Sequence, residues 1–158
     1  EILRISMELV RSEAGSFLDL DHQNNCLFFR AVSGRSSQNL LSVTVPFGHG
    51  VVGFVCENRQ PMALSTIDDS SIYLRAISDS VGFETRNVVA YPIVIRGATF
   101  GCLELLNRLG EDRFTDEDKE ILSAIAEYAG KVIENRLVNA ALYKELERFK
   151  RNGGEDAA

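Results

Sequence analysis

The chain has little of what disulfide-stapled, metal-binding or nucleic-acid-binding proteins depend on. Its three cysteines, Cys26, Cys56 and Cys102, show no C-x-x-C spacing, and only two histidines occur among 158 residues. Neither a disulfide framework nor a metal site is therefore expected, and reduced thiols favour a cytoplasmic protein. The net charge of −6 is scattered along the chain, which disfavours nucleic-acid binding because that role needs a basic face.

Long apolar runs are also missing. The longest, residues 88–95, contains Pro92 and is far shorter than the ~20 residues of a membrane-spanning helix. Neither a signal peptide nor a membrane span is predicted. The length fits one domain, and both ends look cut from a longer chain. We therefore expect residues 1–150 to form a single sensory domain of a larger protein and residues 151–158 to form a polar tail or linker.

Hydrophobic periodicity predicts a mixed α+β fold. The predicted helices cover residues 2–10, 51–58 and about ten turns from Thr115, and the predicted strands cover residues 16–20, 26–33, 41–45, 62–66, 88–95 and 99–106. The last two strands must be antiparallel neighbours, because residues 96–98 are too few for a parallel crossover. Their apolar residues occupy both faces, which predicts a sheet that is covered on both sides.

Residues 68–86 form the longest irregular segment, with a short helix expected at residues 72–77. Long connections in compact domains are more often functional than not, so a binding site is expected here.

The last helix is longer than a small domain is wide. Its apolar residues keep three- and four-residue spacing, but those after about residue 138 have no core of their own. We expect a parallel homodimer through residues 1–10 and 130–150.

Residues 48–53 match G-x-G-x-x-G after a strand and before a helix, as in a dinucleotide site. The following helix is only about two turns long, and the later antiparallel pair cannot belong to a parallel doubly wound sheet. The preferred interpretation is a tight turn whose glycines let the helix approach the sheet.

Two acidic residues stand out in the second half of the chain. Glu104 lies in the middle of an apolar strand, where it must either pair with a side chain or hydrogen-bond something in a cavity. Asp118 stands three residues after Thr115, which fits a capping box, but it could also pair with an arginine at the end of the preceding strand.

Several segments, taken in order, resemble a GAF domain over nearly the whole chain. These are residues 47–53, Gly82-Phe83 followed by Thr85-Arg86-Asn87, Tyr91-Pro92-Ile93, and residues 100–107. Asn107-Arg108, Phe114 and Asp118 are similar to the N-K-F-D-E signature of GAF domains from cyclic-nucleotide phosphodiesterases and some adenylyl cyclases. Arg108 stands for Lys, and Lys119 for Glu.

The resemblance implies a GAF/PAS-like fold in which a six-stranded antiparallel sheet lies between helical layers. It implies a small-molecule pocket and no catalysis. The positions that match the pocket of nucleotide-binding members are Ser16, Val32, Ser33, Val51, Val52, Leu74, Ser78, Val81, Thr85 and Glu104. The signature positions Asn107, Arg108, Phe114 and Asp118 imply a structural motif, and we predict an Arg108–Asp118 ion pair that pins the last helix to the sheet.

Val32 and Leu74 stand where nucleotide-binding members have aromatic residues, and Ser33 stands where they have an acid. These departures favour cyclic AMP over cyclic GMP, or another small metabolite. The expected function is a sensory module that binds a small molecule and signals through its terminal helices to an adjacent output domain.

Two alternatives stay open. The first is a ligand-free dimerisation module whose pocket is filled by Leu74 and Val81. The second is a redox enzyme, because the family includes a methionine sulfoxide reductase. Gaps of 30 and 46 residues between successive cysteines would then require the thiols to converge in space.

Overall fold

The strands form one antiparallel sheet in a computed structural model that describes residues 1–34, 37–67 and 82–152. They are β1 (Ser12–Asp21), β2 (Cys26–Ser33), β3 (Thr44–Pro46), β4 (Met62–Leu64), β5 (Val88–Ile95) and β6 (Ala98–Arg108). Their order across the sheet is β3-β2-β1-β6-β5-β4, and every neighbouring pair is antiparallel. The predicted six-stranded antiparallel sheet is confirmed, and this topology excludes the doubly wound dinucleotide fold.

Three α-helices accompany the sheet in the described residues: α1 (Ile2–Val10), α2 (Gly50–Asn58) and α3 (Asp116–Asn152). A 3-10 helix occupies Ser37–Ser42, so the strand predicted at residues 41–45 is wrong except at its end. The physical reason is the spacing of Leu40 and Val43, which both pack against the core. A separation of three residues matches one turn of 3-10 helix rather than strand alternation.

Two hydrophobic clusters lie on opposite faces of the sheet, as the apolar strands predict. One contains Cys102 of β6 and packs under α2, and the other contains Leu103 and Leu105 and packs under α1 and α3. Successive residues of a strand point to opposite faces, so β6 supplies both cores.

The glycine turn brings α2 close to the end of β3. Gly48 and Gly50 have φ values of 79° and 64°, a region that favours glycine. A Cβ on Gly53 would lie 2.8 Å from the carbonyl oxygen of Pro46. The interpretation of these glycines as a tight strand-to-helix turn is confirmed.

The last helix extends well past the sheet. At 37 residues α3 is about 55 Å long, and its large apolar side chains from Leu137 onward are exposed. No helix among the described residues is long and apolar enough to cross a membrane.

Candidate functional site

A buried polar pair lies on the sheet face beneath α2. Ser16 of β1 and Glu104 of β6 are directly opposite in the sheet register, and the Ser16 hydroxyl donates a hydrogen bond of 2.9 Å to Glu104 Oε2. Ser16 is 2% exposed and Glu104 is 4% exposed. The carboxyl group therefore lies inside the protein with a hydroxyl as its neighbour.

Burial raises the pKa of Glu104 to about 7, and the hydrogen bond from Ser16 opposes this rise. Among the described residues, no Lys, Arg or His forms an ion pair with this carboxyl group. An ionised carboxylate in such surroundings is costly without further donors. The group is thus suited to accept a hydrogen bond from a ligand N–H or O–H.

Five predicted pocket residues come together on this side of the sheet. Val32 of β2 is opposite Ser16 and packs against the cluster under α2. Val51 and Val52 lie in the first turn of α2 and are 6% and 5% exposed. With Ser16 and Glu104 they form an apolar surface that contains one polar pair, which is typical of small-molecule sites.

The structure separates Ser33 from this group. Ser33 is exposed and pairs with Gly15, and a Cβ on Gly15 would contact Leu3 and Leu105 on the opposite face of the sheet. Thr85 is partly buried in the connection before β5. Leu74, Ser78 and Val81, together with the helix expected at residues 72–77, lie outside the described residues.

The predicted ion pair of the signature motif is present. Arg108 Nε lies 2.8 Å from Asp118 Oδ2, with side-chain exposures of 13% and 5%. Asp118 also accepts a hydrogen bond from the Thr115 backbone N–H, and its own N–H donates to the Thr115 hydroxyl. Asp118 therefore takes both roles that the sequence left open, as capping residue and as partner of Arg108.

These contacts decide the ionisation of Asp118. Its burial alone would raise the pKa, but the hydrogen bonds from Arg108 and Thr115 outweigh burial and lower the pKa below its ordinary value. Phe114 is 4% exposed and packs in the cluster beneath α3. The motif thus joins the end of β6 to the start of α3.

Two asparagines connect this motif to the segment that enters β5. Asn107 is fully buried, has a φ of 58°, and donates a 2.8 Å hydrogen bond to the Glu84 carbonyl oxygen. Its Oδ1 accepts from the backbone N–H of Arg86 at 2.7 Å. Asn87 accepts from the backbone N–H of Arg108 and donates to the Asp112 carbonyl oxygen.

Asn87 was not among the predicted site residues. Its sequence signals are its place in the Thr85-Arg86-Asn87 segment that resembles GAF domains and its position directly before an apolar strand. Together Asn87 and Asn107 hold the connection after residue 81 against the end of β6 and the loop that follows it.

Two of the three thiols lie together in the core. Cys56 and Cys102 are 46 positions apart in the sequence, yet both are fully buried in the cluster under α2, where the Cys56 thiol lies 3.4 Å from the Gly101 carbonyl oxygen. Burial raises the pKa of Cys102, and the neighbouring Cys56 and Glu104 raise it further. A buried thiol that stays protonated is a poor nucleophile.

The chain is therefore an α+β domain. Its antiparallel sheet has the short helix α2 on one face and the two terminal helices, α1 and α3, on the other. The model of the GAF domain family matches residues 1–133, and the chain belongs to this family. GAF domains of phosphodiesterases and sensor kinases are regulatory modules that bind small molecules.

Two cyclic-nucleotide phosphodiesterases are among the curated relatives. The chain is 26% identical over 116 residues to the dual 3',5'-cyclic-AMP and -GMP phosphodiesterase 11A of Takifugu rubripes, a match that covers 72% of this chain and 13% of that protein. It is 18% identical over 157 residues to the probable 3',5'-cyclic phosphodiesterase pde-5 of Caenorhabditis elegans, covering 94% of this chain and 21% of that protein. The chain therefore spans about a fifth or less of these relatives.

Solved structures share the fold at low sequence identity. The second GAF domain of DevS from Mycobacterium smegmatis has a TM-score of 0.73 at 14% identity, covering 89% of this chain and 94% of that one. The GAF domain of a phosphoenolpyruvate-protein phosphotransferase from Coxiella burnetii has a TM-score of 0.71 at 19% identity, covering 89% and 95%. The predictions of the GAF family and its fold are confirmed.

Proposed function

We propose that this chain is the ligand-sensing domain of a larger cytoplasmic signalling protein, with its binding pocket between the sheet and α2. The observation that carries the proposal is the buried Ser16–Glu104 pair. Its carboxyl group lies in an apolar face, and within the described residues its hydrogen-bond partner is the Ser16 hydroxyl, an arrangement that favours a ligand bearing a hydrogen-bond donor. In this proposal residues 1–150 are the sensory domain and residues 151–158 are a polar tail or linker.

The proposed ligand is a cyclic nucleotide, with cyclic AMP favoured over cyclic GMP. Two relatives are cyclic-nucleotide phosphodiesterases by name, which supports this class. Adenine and guanine both carry an amino group that donates hydrogen bonds, and Glu104 is an acceptor when ionised. This contact therefore supports a purine ligand, while the preference for cyclic AMP rests on the departures at Val32, Leu74 and Ser33. Ser33 stands where the nucleotide-binding members have an acid, which disfavours readout of the guanine edge.

Ligand state would reach the output domain through the asparagine and ion-pair contacts. The connection after residue 81 is hydrogen-bonded to Asn107, and the neighbouring Arg108 is paired with Asp118 at the start of α3. A ligand that binds one arrangement of this connection more tightly would shift the position of α3. A coupling free energy of ~1–3 kcal/mol is sufficient for regulation.

The test is calorimetric titration of the chain with cyclic AMP and with cyclic GMP. We expect a 1:1 complex with cyclic AMP that is weakened by Glu104→Gln and by Ser16→Ala. Glu120→Gln, on the exposed side of α3, is the matched control and should bind as the unmodified chain does. Binding that is equal in all four proteins would contradict a pocket at Glu104.

A ligand-free dimerisation module is the second candidate function, and the exposed apolar side chains of α3 favour it. In that case no cyclic nucleotide binds. We propose that dimerisation through α1 and α3 accompanies ligand sensing. The redox alternative is disfavoured by the burial of Cys56 and Cys102.

A further inference from the structure

An open cleft, the β6–α3 cleft, lies where the end of β6 passes into the loop before α3. Its volume is about 600 Å³, which is within the range of small-molecule sites. The connection before β5, the end of β6 and the following loop supply its lining, which consists of Arg86, Arg108, Leu109, Gly110, Glu111 and Asp112. None of these residues is among those proposed for the pocket beneath α2.

The cleft contains a cation with unused hydrogen-bond donors. The Arg86 side chain is half-exposed and lies 3.0 Å from Glu13 Oε2, and exposed pairs of this kind contribute little to stability. A guanidinium has five N–H donors, and within the described residues the Arg86 side chain donates to Glu13 alone. Arg108 is already held by Asp118 and by the Leu109 carbonyl oxygen. Arg86 is therefore the group that can bind a carboxylate through two parallel hydrogen bonds.

The loop after β6 adds backbone donors. In the described part of the chain, the backbone N–H groups of residues 110–112 donate to no acceptor. Gly110 has a φ of 82°, and successive N–H groups around a left-handed residue can form a concave site for anionic oxygens. The loop is held in place because the Asp112 carbonyl oxygen accepts a hydrogen bond from Asn87. These donors are therefore preorganised, which favours binding.

Two carboxylates supply acceptors for a positive group. Glu111 and Asp112 line the cleft and are exposed, and neither forms an ion pair with another residue that the structure describes. Both arginines of the cleft are already matched by an acid, so Glu111 and Asp112 make its surroundings net negative. A purely anionic ligand is disfavoured by this charge, whereas a ligand that carries both charges can satisfy both sets of groups.

An apolar side chain completes the lining. Leu109 is 42% exposed, and covering a leucine with apolar atoms is favourable. The guanidinium and backbone donors match a carboxylate, the two acids match an ammonium group, and Leu109 matches an aliphatic side chain. These are the three parts of an aliphatic α-amino acid.

We infer that the β6–α3 cleft binds a free aliphatic α-amino acid, with its carboxylate on Arg86 and on the backbone N–H groups of residues 110–112. Its ammonium group binds to Glu111 and Asp112, and its side chain covers Leu109. The inference goes beyond the ligand proposed for the pocket beneath α2 and does not depend on it. A bound amino acid bridges the connection before β5 and the loop before α3, which makes it a second input to that helix.

Titration of the isotope-labelled chain with L-alanine, L-valine, L-leucine and L-methionine, followed through the backbone amide resonances, tests the location and the ligand class together. We expect saturable shifts of the amide signals of residues 109–112 with at least one of these amino acids. Analogues of the tightest ligand that lack the amino group or the carboxylate should bind about tenfold more weakly, because each loses a charge-assisted contact. For L-leucine these analogues are isocaproate and isoamylamine.

Variants of the lining test the two ends of the ligand. Arg86→Gln removes the cation, and the double variant Glu111→Gln, Asp112→Asn removes the acids, while the backbone hydrogen bonds of Arg86 and Asp112 are kept. Each should weaken binding about tenfold. Arg113→Gln is the matched control, because it removes an exposed arginine of the same loop that does not line the cleft, and it should bind as the unmodified chain does.

Several results would overturn the inference. One is the absence of a saturable shift with any of the amino acids at millimolar concentration, which the unmodified chain alone can show. Equal binding of an analogue that lacks one charge would identify a site for a simple anion or cation, and undiminished binding by Arg86→Gln would remove the carboxylate contact. Shifts centred on Val51 and Val52 would place the amino acid beneath α2. The titration with cyclic AMP is read separately, so failure here and failure of the proposed function are distinguishable.

Discussion

Replacing Glu104 by Gln is predicted to stabilise the ligand-free protein at neutral and alkaline pH. Burial raises the pKa of Glu104 from its ordinary value of 4.5 to about 7, a difference that corresponds to about 3 kcal/mol. Between pH 4.5 and pH 7 the native state binds more protons than the unfolded state. The contribution of this group to stability is therefore fully present below pH 4.5 and is lost as the pH rises through 7.

Glutamine cannot ionise, and its carbonyl oxygen still accepts the hydrogen bond from Ser16. Urea unfolding of the refolded, ligand-free chain at pH 5 and pH 8 measures the effect. We expect the free energy of unfolding of Glu104→Gln, relative to the unmodified chain, to rise by about 2 kcal/mol between these pH values. Glu120→Gln should show no such change. A loss of several kcal/mol in Glu104→Gln at pH 8 would refute the reasoning, because it would mean that a cation compensates the carboxylate.

Three further variants test the structural account by unfolding measurements. Arg108→Ala leaves the Asp118 carboxylate buried without its cation, so we expect the free energy of unfolding to fall by about 3 kcal/mol near pH 7. Because the pKa of Asp118 is lowered in the native protein, this loss should shrink as the pH falls below the ordinary value of 3.8. An equal loss at pH 7 and pH 3 would contradict the pairing. Gly53→Ala places a Cβ 2.8 Å from the Pro46 carbonyl oxygen and should lower the free energy of unfolding by about 1–3 kcal/mol, whereas an unchanged melting temperature would show that α2 can move away. Asn107→Ala removes buried hydrogen bonds and should cost about 2–4 kcal/mol; Asn107→Gly, which tolerates the positive φ, should be equally unstable if the hydrogen bonds rather than the backbone conformation matter.

Most elements of the fold could be predicted because their patterns are local. The apolar strands β5 and β6 and the two-residue turn between them follow from alternation and from a connection too short for a crossover. The segment at residues 37–45 could not be predicted in the same way. Leu40 and Val43 are apolar, and polar residues flank the pair. This pattern fits a strand as well as a 3-10 turn, and only the packing of the two side chains on the core distinguishes the two structures.

The candidate site was less accessible to sequence reasoning, because it depends on register. Ser16 and Glu104 are 88 positions apart, and no local pattern indicates that they lie side by side. Their selection came from the resemblance to GAF domains. Ser33 shows where the resemblance fails as a guide, because this predicted pocket residue lies on the other face of the sheet. A shift of one residue along a strand is enough to change the face of a side chain, and the pairing of β1 with β2 contains a bulge at Phe17/Leu18.

Contacts that depend on tertiary packing were also missed. The hydrogen bonds of Asn87 to Arg108 and Asp112 join segments that are distant in the sequence. The approach of Cys56 to Cys102 likewise results from the crossing of α2 over β6. In both cases the residue types are uninformative until the sheet order brings the segments together.

Native mass spectrometry of the purified chain tests the central claim most directly, because it weighs a bound ligand. The account predicts one small molecule per chain, either retained on purification or acquired on addition of cyclic AMP, and its loss in Glu104→Gln at the same concentrations. Spectra that show only the ligand-free mass, with and without a panel of purine cyclic nucleotides, would contradict the claim that Glu104 is part of a cyclic-nucleotide pocket.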